Sequence, residues 1–178
     1  GKAQQLSSFL DLAEEMVVFE NIVFRMAGRG DAVHELLKEA VDRDLSNFQY
    51  LGDLSANDYS SLIRAADLGF ISLSEGHTAH NFPGKLLGYM EAGLPIIGFV
   101  NEGNDLCDLI NQSDCGCLTN RSQLLRMSSF INEFLQKSEA RISKSRNSRD
   151  VGLLLFSVTS ASSSILEELG QHENSHYK

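Results

Sequence analysis

Short apolar runs and amphipathic stretches take turns along this 178-residue chain, and that alternation leaves it few architectures. The first amphipathic stretch spans about 3–16, with Leu6, Phe9, Leu10, Ala13 and Met16 on one face, the spacing of a helix. Ile22 to Ala27 is apolar and stops at Gly28-Arg29-Gly30, which predicts a strand entering a tight loop. Asp31 is placed to cap a second helix carrying Val33, Leu36, Leu37, Ala40 and Val41. Phe48 to Gly52 predicts a second strand. Ser55, with Asp58 three residues on, predicts the start of a third helix with Tyr59, Leu62, Ile63 and Ala66 inward. Strands follow at 69–73, 95–100 and, more weakly, 115–118, with short helices near 84–92 and 104–112 between them. The rest reads as helix, about 121–137 and then 144–169 with a break near Phe156-Ser157. Strand followed by helix, repeated five times, predicts a Rossmann-like, doubly wound α/β fold with a mostly parallel sheet and helices on both faces. One domain over 1–169 and a polar tail over 170–178 account for the chain.

Composition narrows the function. Apolar residues make up 42% of the chain, enough for a real core, and the net charge is −9. That acidity argues against a nucleic-acid footprint and against strong attachment to an anionic membrane. No apolar run approaches the roughly 18 residues of a spanning helix, and the start lacks a signal-peptide pattern. Cys107, Cys115 and Cys117 are spaced too tightly for a zinc knuckle and read as reduced, buried or half-buried thiols. A cytoplasmic protein fits these features.

In open sheets of this type ligands bind beyond the carboxyl ends of the strands. The loops at 28–31, 52–55, 74–84 and 101–104 are therefore the candidates. The loop 74–84 is long and carries Glu75, His77, His80 and Asn81. It ends in Pro83-Gly84-Lys85, where a helix begins. Free N–H groups and the positive end of the helix dipole make such a start an anion site, a glycine lets a phosphate come close, and a lysine adds charge. The plainer alternative is an ordinary helix start with a solvated lysine.

The run Phe82-Pro-Gly-Lys-Leu-Leu-Gly-Tyr-Met-Glu-Ala-Gly-Leu-Pro-Ile-Ile-Gly98 resembles the central motif of the retaining group 1 (family 4) glycosyltransferases of GT-B fold. Members often read Pro-Ser-Lys-Leu-x-Glu-Tyr-Met-Ala-x-Gly-x-Pro-Val-Ile there. Ile22 to Gly30, Tyr50-Leu51-Gly52 with Tyr59 to Asp67, and Asn147 to Leu169 resemble further segments of the same family. The resemblance covers nearly the whole chain. Gly103-Asn104-Asp105-Leu106 is similar to bacterial enzymes of O-antigen and capsule assembly, the N-acetylfucosamine-transferring subgroup among them.

That resemblance implies the donor-binding half of a glycosyltransferase, moving a sugar from a nucleoside diphosphate sugar to a lipid-linked or saccharide acceptor in surface polysaccharide synthesis. It implies no metal and no cofactor beyond the donor. Its partner would be an N-terminal acceptor-binding domain, through which, or through a lipid-linked acceptor, any contact with the inner face of the cytoplasmic membrane would run. Family members also carry a mid-sheet strand before the first helix, which has no counterpart here. The resemblance assigns the diphosphate to Gly84, Lys85 and Leu86, with Lys2 from the preceding loop, and the base pocket to Arg29, Gly52 and Asp53.

The chain departs from the family at its chemistry. Two glutamates, separated by seven residues, are usual; the corresponding positions here are His80 and Gly88. Glu91, one turn beyond Gly88 and leaning back along the helix, is a candidate for the ribose. Glu75 and His80 are the catalytic candidates beside the sugar, and His77 and Asn81 are candidates to bind it. Alternatives are a non-catalytic binding or assembly module, and a nucleotide-sugar 2-epimerase, which shares the fold. A phospho-acceptor receiver domain lacks its aspartate at the end of the first strand.

Overall fold

A computed structural model describes residues 6–73, 83–101 and 103–156. In chain order these form α1 (Ser7–Glu15), β1 (Phe24–Met26), α2 (Val33–Asp42), β2 (Phe48–Tyr50), α3 (Ala56–Ala65) and β3 (Gly69–Ser72). There follow α4 (Gly84–Glu91), β4 (Ile96–Phe99), α5 (Asp105–Gln112), β5 (Gly116–Thr119), α6 (Leu124–Gln136) and α7 (Ser138–Phe156). The order is the expected α/β alternation, and every strand pairing is parallel.

The sheet that contains β4 divides the core in two. Along β4, Ile97 and Phe99 face a layer built from α1 and α6, which also takes Phe24, Leu36, Ala40 and Cys117. Ile96 faces the other layer, with Leu86 and Met90 of α4, Leu106 and Ile110 of α5, and Leu118. All four residues of β4 and all four of β5 are buried, as strands covered on both faces must be. Burying apolar area at about 25 cal/mol per Å² is the main term holding these layers together.

Close approach within the sheet depends on glycine. Gly98 has φ +151°, and a Cβ there would sit 1.7 Å from the Ile71 carbonyl oxygen of β3. Helix α7 closes the α4 side. Its Ser148 hydroxyl, fully buried, donates to the Leu94 carbonyl at 2.7 Å, and Ser145 donates to the Gly93 carbonyl at 2.7 Å. These bonds tie α7 to the turn that leaves α4.

The described strands pair as β1–β2 and as β3–β4–β5, within the expected parallel α/β arrangement. Helix α1 bridges them: the Phe9 ring lies 5.4 Å from Phe24 of β1 and 4.8 Å from Phe70 of β3. Several expectations need correction. Asp31 does not cap α2; Ala32 holds the cap position in helical geometry, and no side chain bonds the free amides there. Val41 is 78% exposed, because the buried stripe of α2 runs through Leu36 and Ala40 and leaves its neighbour turned outward. Tyr59 is also exposed, since α3 buries only Ile63. The last helix begins at Ser138, not near 144, after the single extended residue Lys137. Its polar first turns are held by an Arg141–Asp67 ion pair and by Arg141 stacking over Phe134. The strand expected near 115–118 is present at Gly116–Thr119 and is fully buried. Ser55 does cap α3, accepting from the Asp58 amide. The proposed break near Phe156-Ser157 and the tail 170–178 lie outside the described residues.

The cysteines behave as expected. All three are free, with Cys115 and Cys117 buried. Burial pushes the Cys115 thiol up to about 11, which keeps it protonated and unreactive. Among the described residues no helix is long and apolar enough to cross a membrane.

Two substitutions test this packing. Gly98→Ala is expected to destabilise the protein by about 3 kcal/mol in urea unfolding, because the clash is with backbone. Ser148→Ala leaves a buried carbonyl without its donor and is expected to cost about 1–2 kcal/mol.

Candidate functional site

The start of α4 is where the sequence placed the anion site. Pro83, in extended geometry, precedes the helix and provides no side-chain cap. The Leu86 N–H donates to the Pro83 carbonyl at 2.8 Å, and the Leu86 side chain is buried in the core. Leu86 therefore anchors the helix start. The Gly84 and Lys85 N–H groups have no acceptor among the described residues. Gly84 is exposed, and nothing lies within 4 Å of where its Cβ would stand. Among the described residues the backbone is open at that point.

Lys85 departs from an ordinary surface lysine. It is partly buried and has no hydrogen-bond or ion-pair partner among the described residues. Loss of water pulls its ammonium pKa down. A cation held this way is costly alone and gains much from an arriving anion.

Further along α4, Gly88 leaves the helix surface bare. The nearest atom to its absent Cβ is Ile63 Cδ1 of α3, at 3.9 Å. Glu91 is the last residue of the helix and is exposed. At 1.5 Å per residue it lies about 10 Å along the axis from Gly84. Its neighbour Tyr89 packs over Gly69 of β3, and burial raises its phenol well above the usual range.

The structure brings the base-pocket candidates together. Arg29, after β1, pairs with Asp53, after β2, at 3.1 Å on an exposed surface. An exposed pair of this kind adds little stability. Beneath it the Gly28 N–H donates to the Gly52 carbonyl at 2.7 Å. The Tyr50 hydroxyl donates to the Gly28 carbonyl, also at 2.7 Å. Sequence reasoning did not single out Tyr50. The only signal available was an aromatic hydroxyl at a strand end beside a glycine loop. Lys2, Glu75, His77, His80 and Asn81 lie outside the described residues.

A family model described as glycosyl transferases group 1 matches residues 2–137. The chain belongs to the group 1 glycosyltransferase family. The probable glycosyltransferase WbjE of Pseudomonas aeruginosa is 25% identical over 116 residues, covering 65% of this chain and 29% of that protein. Among solved structures, TarM superposes with a TM-score of 0.74 at 17% identity, over 96% of this chain and 32% of TarM. HepE of Anabaena, solved with UDP-glucose, superposes at 0.71 and 18% identity, over 96% of this chain and 46% of HepE. The C-terminal domain of the group 1 glycosyltransferase LpcC of Francisella tularensis superposes at 0.69 and 15% identity, over 89% of this chain and 82% of that domain. These likenesses establish the GT-B, Rossmann-like fold. The chain spans less than a third of the length of WbjE and under half of HepE.

The lysine yields a test with a definite sign. Unfolded, the amine keeps its proton up to about its ordinary 10.5; folded, it releases the proton earlier. The unfolded chain thus binds more protons in the alkaline window between those values, and stability gains with rising pH there. Lys85→Met is expected to remove that gain, read from urea unfolding across alkaline pH, and to raise stability at neutral pH by relieving the buried charge.

Proposed function

We propose that this chain binds the nucleoside diphosphate sugar donor of a glycosyltransferase that works in surface polysaccharide synthesis, in lipopolysaccharide O-antigen or capsule. The observation that carries the reading is the start of α4, where two amides without an acceptor among the described residues, an exposed glycine and a desolvated lysine meet. Departure of a nucleoside diphosphate develops negative charge. Donors held in place beforehand stabilise that charge more in the transition state than in the ground state.

In this reading Gly84 and Lys85, with Lys2, hold the diphosphate, and Leu86, whose N–H is taken by the Pro83 carbonyl and whose side chain is buried, anchors the helix start rather than binding it. Arg29, Gly52 and Asp53 line the base pocket. His77, Asn81 and Glu91 bind the sugar or ribose, and Glu75 and His80 stand beside the reacting centre. Neither a metal nor another cofactor takes part, because amides and lysines neutralise the leaving group. HepE, of the same fold, was solved with UDP-glucose, which supports a nucleotide sugar as ligand. WbjE, a probable glycosyltransferase, supports the reaction class.

The acceptor, lipid-linked or a saccharide, belongs to an N-terminal acceptor-binding domain of the whole enzyme, which works in the cytoplasm or at the inner face of its membrane. By family analogy the transfer of a hexose or amino sugar retains anomeric configuration. The N-acetylfucosaminyltransferase subgroup is the finer assignment. This chain by itself binds donor weakly and turns over nothing.

The bare surface at Gly88 favours one second reading, a binding or assembly module of the same fold without catalysis. Donor titration separates the two. Uridine or guanosine diphosphate is expected to bind and to shift the Gly84 and Lys85 amide resonances. Lys85→Ala should weaken that binding about tenfold, or about 1.4 kcal/mol. Absence of binding by every uridine- and guanosine-diphosphate sugar would overturn the donor reading in favour of the module.

A further inference from the structure

The loop after β1 holds a conformation that packing does not explain. Gly28 sits at φ +123°, a region side chains rarely adopt, yet nothing lies within 4 Å of its absent Cβ. Among the described residues no neighbour demands a glycine there for space. The conformation is instead held by two bonds from the β2 side. The Gly28 N–H meets the Gly52 carbonyl, and the Gly28 carbonyl meets the Tyr50 hydroxyl. The first continues the ladder beyond the Leu51 N–H to Met26 carbonyl bond. The second is a side-chain addition with no role in the ladder. A constrained loop without a packing reason, at the carboxyl end of its strand, marks a functional device.

The planar peptide says what the device does. The Gly28 carbonyl and the Arg29 N–H belong to one trans peptide unit and point in opposite directions. Fixing the carbonyl toward Tyr50 therefore aims the Arg29 N–H away from β2. Among the described residues nothing accepts from that N–H. We propose that Tyr50 is a positioning residue that orients the Arg29 backbone N–H as a donor to a carbonyl oxygen on the base of the bound nucleotide. This rests on the donor reading above, in which these loops face the base. The Arg29–Asp53 pair keeps the arginine side chain on the opposing loop, so the backbone rather than the guanidinium reads the base.

Tyr50→Phe removes one hydroxyl and keeps the ring. Binding of uridine diphosphate, guanosine diphosphate and inorganic pyrophosphate is measured for both proteins by calorimetry, with amide NMR on the wild type. The expected result is a loss of fivefold or more for the preferred nucleoside diphosphate and a change under twofold for pyrophosphate. The melting temperature should fall by no more than about 4 °C, the effect of one part-buried hydrogen bond. The wild-type Arg29 amide should shift with the nucleotide and stay still with pyrophosphate. Equal weakening of nucleotide and pyrophosphate, unchanged nucleotide affinity, or a silent Arg29 amide would each overturn the inference and leave the donor reading intact. Failure of the wild type to bind any of the three probes would overturn the donor reading itself, and the role of Tyr50 with it.

Discussion

Burial of β4 on both faces is the constraint from which the rest of this structure follows. A strand with apolar layers above and below cannot turn its backbone to water, so its N–H and C=O groups must be paired on both edges. β3 and β5 meet that need, and Gly98 permits the close approach to β3. The same burial obliges helices to cover each face. Helices α1 and α6 take one side, and α4 and α5 take the other. α7 then locks α4 through serine hydroxyls on the carbonyls of the turn that follows it. The start of α4 is the far end of an element clamped into this core.

The candidate site inherits its chemistry from that clamping. The Leu86 side chain is fully buried, which holds the first turn of α4 close against the sheet and draws Lys85 partly out of water with it. Desolvation makes the lysine an acceptor of anions in a way that a surface lysine is not. On the β1–β2 side the loops are joined by backbone and side-chain bonds that set peptide orientation. A desolvated lysine lies at one place and hydrogen-bond direction is set at the other, which is the arrangement the proposed donor reading draws on.

Element types were legible because the apolar spacing is strong. The stripe Phe9, Leu10, Ala13 and Met16 announces α1, and all four side chains are buried. Ser55 announces the start of α3 through a bond that depends only on residues three apart. Legibility failed where the deciding partner is distant in sequence. The polar start of α7 is held by Asp67, 74 residues away from Arg141. Val41 and Tyr59 look apolar enough to be inward, yet the elements beneath them do not reach that far. Which strands pair, β1 with β2 and β3 with β4 and β5, is something apolar spacing does not encode.

The sequence by itself determined the class of fold, the strand–helix order, the helix start at Gly84-Lys85 and the family motif around it. These rest on local periodicity and on backbone geometry within a few residues, so neighbours in the chain suffice. Only the tertiary structure decided that Lys85 loses its water, that Arg29 meets Asp53, and that Tyr50 claims the Gly28 carbonyl. Each depends on groups from separate elements meeting in space. Burial and hydrogen-bond direction are properties of that meeting and not of the residue, which is why no reading along the chain supplies them.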